Sequence, residues 1–308
     1  MKMPMTIPMT MPMTMPMTIP NIIQYDFNKI YVYHGKFYYI SFMYKLFMDT
    51  VRKLLEPVKY KTVYSNNINY NIIRPKELLI FIGDIDKPEP SILYELMRKG
   101  IYIIYYNTEP TIYSFICNEI WTYSKYLFTL CNKVHEKQVI KYVPIIFETG
   151  VPYVPYHIQS NIKPLIFIGN FGFRQKTQDI LFQSDFLKEN IKEVYNLWND
   201  VDFNNFISTG PKIYLNVIKN DGMNALPSAR INKLLSHKCI IISEHCNEID
   251  DDLYKNMIYF CKLEEIEDVY RMLLSKSDEE LQKDANEKYE LFCNFFCEEN
   301  VKRNIIWK

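Results

Sequence analysis

Tyr214-Leu215-Asn216-Val217, then Ala225-Leu226-Pro227-Ser228-Ala229-Arg230-Ile231-Asn232-Lys233-Leu234-Leu235, then Cys239-Ile240-Ile241-Ile242-Ser243-Glu244 follow one another within a short span of the chain. The first and third are short apolar runs of the kind that form buried strands, and the second opens a helix at Ser228. Strand, helix and strand in succession predict parallel strands joined by a right-handed crossover. The strand ends and the helix N-terminus then converge on one edge of a cleft, where open α/β sheets bind their ligands.

The same alternation continues in both directions. Upstream, Pro164–Ile168 reads as a buried strand, Lys176–Leu187 as a helix, Glu193–Leu197 as a strand, Asp202–Ser208 as a short helix and Lys212–Val217 as a strand. Downstream, strand Met257–Cys261 and helices in Glu264–Leu274 and Asp278–Cys297 follow. An earlier series holds a hairpin over Lys29–Ser41 around His34-Gly35, an amphipathic helix Phe42–Leu55 stopped by Pro57, strand Leu78–Ile82, helix Ser91–Arg98 and strand Ile101–Tyr105. A helix near Lys125–Cys131 and a strand near Val139–Ile146 complete it. Between the two series, Glu148–Lys163 carries Gly150, Pro152 and Pro155, with Pro164 at its end, and reads as a linker. The expected organisation is a tail over 1–20, an N-terminal α/β domain over 21–150, a linker over 151–163 and a C-terminal α/β domain over 164–308. The last helix, 278–297, is expected to return to the N-terminal domain. Two Rossmann-like domains facing each other across a cleft are the predicted fold.

Residues 1–20 repeat an X-Pro-Met-Thr unit, with prolines at 4, 8, 12, 16 and 20. Proline at that frequency removes the donors a helix needs, so the tract reads as a disordered, extended tail and neither a signal-peptide core nor a membrane span. No later apolar run reaches the roughly 18–20 uncharged residues that cross a bilayer. The 308 residues carry 36 basic and 36 acidic side chains, which cancel. That balance argues against a dedicated nucleic-acid or anionic-membrane binder, so any anionic ligand must be met by a local site. Seven cysteines, an odd number in a large chain, point to a reducing, cytoplasmic setting. Cys293 and Cys297 have a spacing that places two thiols one helical turn apart, but no second Cys/His pair completes a metal site.

Candidate chemistry gathers in the C-terminal half. Ile168-Gly169-Asn170-Phe171-Gly172-Phe173-Arg174 leaves a strand and enters a helix. Its glycines let backbone N–H groups approach a diphosphate and Arg174 adds positive potential, although a plain strand-to-helix turn accounts for it equally. Ser228 reads either as an N-cap or as a phosphate contact. Arg230 sits in the first turn of its helix, where a cation opposes the dipole, a placement that makes sense if it answers an anion. Glu244 follows a buried strand, where a carboxylate can accept from ribose or sugar hydroxyls or simply face solvent.

In this order the segments resemble the donor half of GT-B glycosyltransferases, in the manner of families one and four. The closest group has a Leu-Asn strand, an Arg-Ile-Asn helix and a Val-Ile-Ser-Glu strand. Tyr106-Asn107-Thr108-Glu109-Pro110 and Glu119-Ile120-Trp121-Thr122-Tyr123-Ser124 resemble its N-terminal elements, so the likeness covers roughly residues 78–262. The resemblance implies transfer of a sugar from a nucleotide-activated donor to a glycan, protein or small-molecule acceptor, with no cofactor and no bound metal. It implies donor contacts from Gly169, Asn170, Arg174, Asn216, Ser228, Arg230, Asn232, Ser243 and Glu244. Asp84, Asp86 and Glu109 are the candidate bases of an inverting reaction, and each reads equally as a loop-capping acid. Where many members of the fold carry a ribose-binding glutamate, three residues after the arginine, this chain has Lys233, which leaves Glu244 as the substitute. The low-Gly, Asn/Ile/Tyr-rich style also resembles proteins of giant DNA viruses, which would put the protein in the host cytoplasm or the virion. The rival readings are a GT-B scaffold without catalysis and a two-domain small-molecule binding protein.

Overall fold

In a computed structural model, the structure describes residues 27–34, 42–56, 61–65, 67, 69–83, 89–108, 116–135, 137–147, 163–195, 197, 199–209, 213–218 and 224–304. The expected tail and nearly all of the expected linker lie outside them.

The first part of the chain runs β1 (Lys29–His34), α1 (Phe42–Leu55), β2 (Lys61–Ser65), β3 (Glu77–Ile82), α2 (Pro90–Arg98), β4 (Tyr102–Asn107), β5 (Glu119–Thr122), α3 (Lys125–Val134) and β6 (Val139–Tyr142). These six strands form one sheet in the order β2-β1-β3-β4-β5-β6, and every neighbouring pair is parallel. β3 reads Glu-Leu-Leu-Ile-Phe-Ile without alternation because it is buried along its whole length, as a parallel strand covered on both faces must be. The second part runs β7 (Leu165–Ile168), α4 (Gln175–Leu181), α5 (Asp185–Asn190), β8 (Ile191–Val194), α6 (Asp200–Thr209), β9 (Ile213–Asn216), α7 (Ser228–Ser236), β10 (Ile240–Glu244), α8 (Glu248–Tyr254) and β11 (Tyr259–Cys261). α9 (Ile266–Leu274), α10 (Asp278–Phe296) and α11 (Glu298–Asn304) close it. Its sheet has the order β11-β10-β9-β7-β8 and is also parallel throughout. Two parallel α/β sheets are therefore present, as the sequence predicts.

Three expectations change. Lys29 to Ser41 does not form a hairpin as far as it is described: β1 already pairs in parallel with β2 on one side and β3 on the other, so no edge is left for a returning strand, and residues 35–41 lie outside the described residues. The single helix over 176–187 is two helices, because Phe182 ends α4 and the Ser184 hydroxyl starts α5 by accepting from Leu187 N. The strand placed at 193–197 lies earlier, at Ile191–Val194.

One continuous apolar core includes Leu78, Ile80 and Trp121 of the first sheet and Ile166, Tyr214 and Ile241 of the second, together with Phe292 and Phe296 of α10. Phe147, just past the first sheet, bridges to Cys297 and packs its ring 5.6 Å from that of Phe292. Phe292, Phe296 and Val301 are almost fully buried, which at about 1.5–3 kcal/mol per large apolar side chain fixes the end of the chain to this seam. Among the described residues no helix is long and apolar enough to cross a membrane.

Candidate active site

In each sheet the chain changes direction once. The second sheet places β7 between β8 and β9, so the crossovers leave the ends of β7 and β9 toward opposite sides and open a crevice there, the usual ligand site of such a sheet. The pairings Ile166↔Tyr214 and Phe167↔Leu215 bring Ile168 and Asn216 to the carboxyl ends of the two strands. Ser243 of β10 is in register with Asn216.

Arg230 spans this crevice. It enters from the first turn of α7, and its guanidinium donates through Nη1 to the Ile168 carbonyl at 2.8 Å and through Nη2 to Asn216 Oδ1 at 2.6 Å. Asn216 is held in turn, donating from Nδ2 to Ser243 Oγ at 2.9 Å, and Ser243 donates to the Glu244 carbonyl at 2.9 Å. Both acceptors of Arg230 are neutral, and among the described residues no carboxylate bonds to it. Burial first, and the like charge of Arg174 second, pull its pKa down to about 10, so the group stays charged at neutral pH while its charge is uncompensated. Glu244, although it ends the neighbouring strand β10, is not among the partners of Arg230.

Arg174 reaches the same place from the turn after β7. It donates from Nη1 to the Asn170 carbonyl at 3.0 Å and lies over the Phe167 ring, 5.4 Å from its centroid. A Cβ on Gly169 would stand 2.8 Å from Phe167 Cζ, which is why that position is glycine. The amides of the turn, however, are largely occupied. Gly169 N donates to the Val194 carbonyl, Phe171 N to Glu193 at 2.5 Å and Gly172 N to Asn170 Oδ1 at 2.6 Å. The positive potential of this turn therefore comes from Arg174 and not from a cradle of free N–H groups.

Glu244 closes the crevice on the β10 side. Its Oε2 accepts from Ile218 N at 3.0 Å, and its other oxygen takes no hydrogen bond from a described residue. Burial raises its pKa, with the Ile218 amide and Arg174 acting in the opposite direction. Ser228 is the first helical residue and not the cap. Pro227 stands at the N-cap without a side-chain bond, and the buried Ser228 hydroxyl has no partner among the described residues. Asn232 stands apart from this group: it is fully buried and accepts from Tyr254 OH at 2.7 Å, between α7 and α8. Lys233 is also committed elsewhere, 3.1 Å from Asp200 at the start of α6.

On the first sheet the corresponding crevice lies between β1 and β3, at His34 and Gly83. Asp84, Asp86 and Glu109 lie outside the described residues. Among the described residues no group of three or more His, Cys, Asp or Glu side chains is arranged to hold a metal ion.

No protein-family model matches the chain, and no curated protein matches it. Solved structures do. The lipopolysaccharide outer core galactosyltransferase WaaB, in its apo form, superposes with a TM-score of 0.52 over 89% of this chain and 97% of its own, at 10% identity. A mutant of S. aureus TarM, in complex with Fondaparinux, alpha-GlcNAc-glycerol and UDP, superposes with a TM-score of 0.52 over 75% of this chain at 8% identity. The match spans only 54% of the TarM chain. At such identities the likeness is one of fold, and it agrees with the two parallel sheets described above: the chain has the GT-B fold of these glycosyltransferases.

Proposed function

We propose that the protein is a nucleotide-sugar-dependent glycosyltransferase whose donor diphosphate binds at the β7/β9 crevice against Arg230 and Arg174. One observation carries this reading: a charged, half-buried arginine at the switch point of the second sheet, bonded among the described residues to neutral oxygens and repelled by a second arginine. Such a pair is costly when empty and is relieved by an anion. A diphosphate there gains charge-assisted hydrogen bonds, and the same cations stabilise the negative charge that develops on it as the glycosidic bond to the leaving group breaks. In this reading the side chains need no metal to do so.

The unoccupied oxygen of Glu244 is the acceptor for a ribose or sugar hydroxyl, in place of the glutamate that Lys233 replaces. Ser228, at the start of α7, is assigned a further contact to the phosphate. The acceptor substrate, whether glycan, protein or small molecule, is assigned to the first sheet, with Asp84, Asp86 and Glu109 as the candidate bases. The protein is assigned to the cytoplasm and takes no nucleic-acid partner.

A thermal-shift screen with UDP-, GDP-, TDP- and CMP-sugars tests the reading. A donor at about 100 times its Kd adds about 2.7 kcal/mol to the stability of the folded state. Stabilisation by one nucleotide class followed by release of the nucleoside diphosphate on adding an acceptor is the expected result. Stabilisation without turnover against a broad acceptor panel assigns the chain to a binding scaffold, and no stabilisation by any of the four classes removes the donor site.

A further inference from the structure

Asp250 takes no part in the arginine site, yet it is one of the most enclosed carboxylates among the described residues, 2% exposed in the run Glu248-Ile249-Asp250-Asp251-Asp252. Its Oδ1 accepts from Ser124 Oγ at 3.1 Å and from Tyr126 N at 3.4 Å. Its Oδ2 accepts from Ser124 Oγ at 3.0 Å, Leu226 N at 3.1 Å and Asn247 Nδ2 at 3.0 Å. These donors come from both halves of the molecule. Ser124 stands where β5 of the first sheet gives way to α3, and its hydroxyl also caps that helix by accepting from Leu127 N. Leu226 stands in the segment that enters α7, two residues before Ser228 and four before Arg230.

Hydrogen bonds to an ionised carboxylate are about twice as strong as neutral ones. A buried carboxylate that loses donors is left with a desolvation cost that those donors had offset. If α3 moves away, Asp250 loses the Ser124 and Tyr126 donors at once, and the remaining contact to Leu226 N no longer has a fixed anchor. The side chains around it, Tyr123, Tyr142, Leu253 and Tyr254, fill the seam on both sides, and the Ser228 hydroxyl lines the same small space.

We propose that Asp250 is a clasp that makes the conformation of the α7 N-terminus depend on docking of the two sheets, so that the arginine site on the second sheet is set from the first. Asp250 is a positioning residue: it acts through Leu226 and Ser124 and touches no substrate.

Hydrogen exchange followed by mass spectrometry on the full chain tests this with Ser124→Ala, a change made in the first sheet's segment. Exchange over Leu226–Ile231, the entry to α7 and its first turn, should quicken by about five- to tenfold, while α9 and α10 exchange as in the unaltered protein. Ser124→Thr keeps the hydroxyl and should restore the original rates. Asp250→Asn, which keeps the size but turns an N–H₂ group toward the same donors, should give the same local loosening, and it serves if Ser124→Ala does not fold. A second measurement rests on the donor-site reading above: the Kd of the best-binding nucleotide-sugar should weaken by a similar factor in Ser124→Ala. If the unaltered protein binds no nucleotide-sugar, that reading fails and the exchange data alone judge the clasp. Unchanged exchange over Leu226–Ile231, or a rise spread evenly through α9 and α10, overturns it.

Discussion

Replacing Arg230 by alanine separates a donor site from a structural arginine, because the two roles have opposite costs in this geometry. Burial and Arg174 lower the Arg230 pKa from the ordinary arginine value to about 10, which corresponds to about 3 kcal/mol against the charged form. The two hydrogen bonds to the Ile168 carbonyl and Asn216 return about 1.5–3 kcal/mol each when the donor is charged. In the empty site these terms nearly cancel, so Arg230→Ala should shift Tm by only a few degrees. With a diphosphate bound the repulsion is relieved, and the same substitution removes a contact worth about 1.5–3 kcal/mol. Donor affinity should therefore fall by roughly ten- to a hundred-fold. Arg230→Lys restores the charge, but an ammonium cannot span both acceptors in one plane, so it should recover part of the loss. Tm and nucleotide-sugar Kd measured on the same three proteins decide the matter. A large fall in Tm with normal affinity in the folded fraction, or unchanged affinity with an intact fold, would refute the assignment.

Gly169→Ala should lower stability by about 1–3 kcal/mol, or roughly 2–12 °C in Tm. The new methyl meets the Phe167 ring, which is already packed 4.2 Å from Phe171; a Tm within a degree of the original would show that the ring has room to move. Glu244→Gln tests the raised carboxyl pKa. A carboxyl whose folded pKa lies above its unfolded value makes the fold gain stability as pH falls through the interval between the two, so the substitution should flatten the stability–pH slope just above the usual carboxylate range. An unaltered slope in urea melts across that range removes the effect. Lys233→Met should be near neutral, since it keeps the buried stem and removes a pair only partly shielded from water. Lys233→Glu, which restores the residue expected from the family resemblance, should cost about 3 kcal/mol by setting two carboxylates together beside α6. Equal Tm values for the two variants would contradict this account of Lys233.

The sheets were legible in the sequence because parallel strands are covered on both faces. Leu78–Ile82, Ile213–Leu215 and Ile240–Ile242 are apolar without alternation, and that pattern survives whatever the strands pair with. The arginine site was legible for a related reason: in such a sheet the ligand edge is the carboxyl edge, so residues just past each apolar run, Asn216, Ser243 and Glu244, are placed there by strand order alone. Readings that depended on partners were less secure. β1 carries nothing in its own residues to say that both its edges are taken by β2 and β3, so a hairpin at His34-Gly35 was an equally good local solution. The break between α4 and α5 turns on whether Ser184 faces the backbone of Leu187 or solvent, which the apolar period over 176–187 does not reveal.

Asp250 marks the limit of this kind of reading. Beside Asp251 and Asp252 in the same helix, its composition and spacing give it no distinction, and an acidic first turn is what any helix N-terminus favours. Asp252 is highly exposed and pairs with Lys255 one turn on, while Asp250 is enclosed and bonded to a serine 126 positions away. The difference arises only when α3 of the first sheet is brought against α8. Its carboxyl pKa is raised by burial, against the pull of the hydrogen bonds from Asn247, Leu226, Ser124 and Tyr126. Burial works against the charged form, and donors from both halves of the chain offset it. A residue held on such terms has its effect where the two halves of the chain meet, because it takes donors from both.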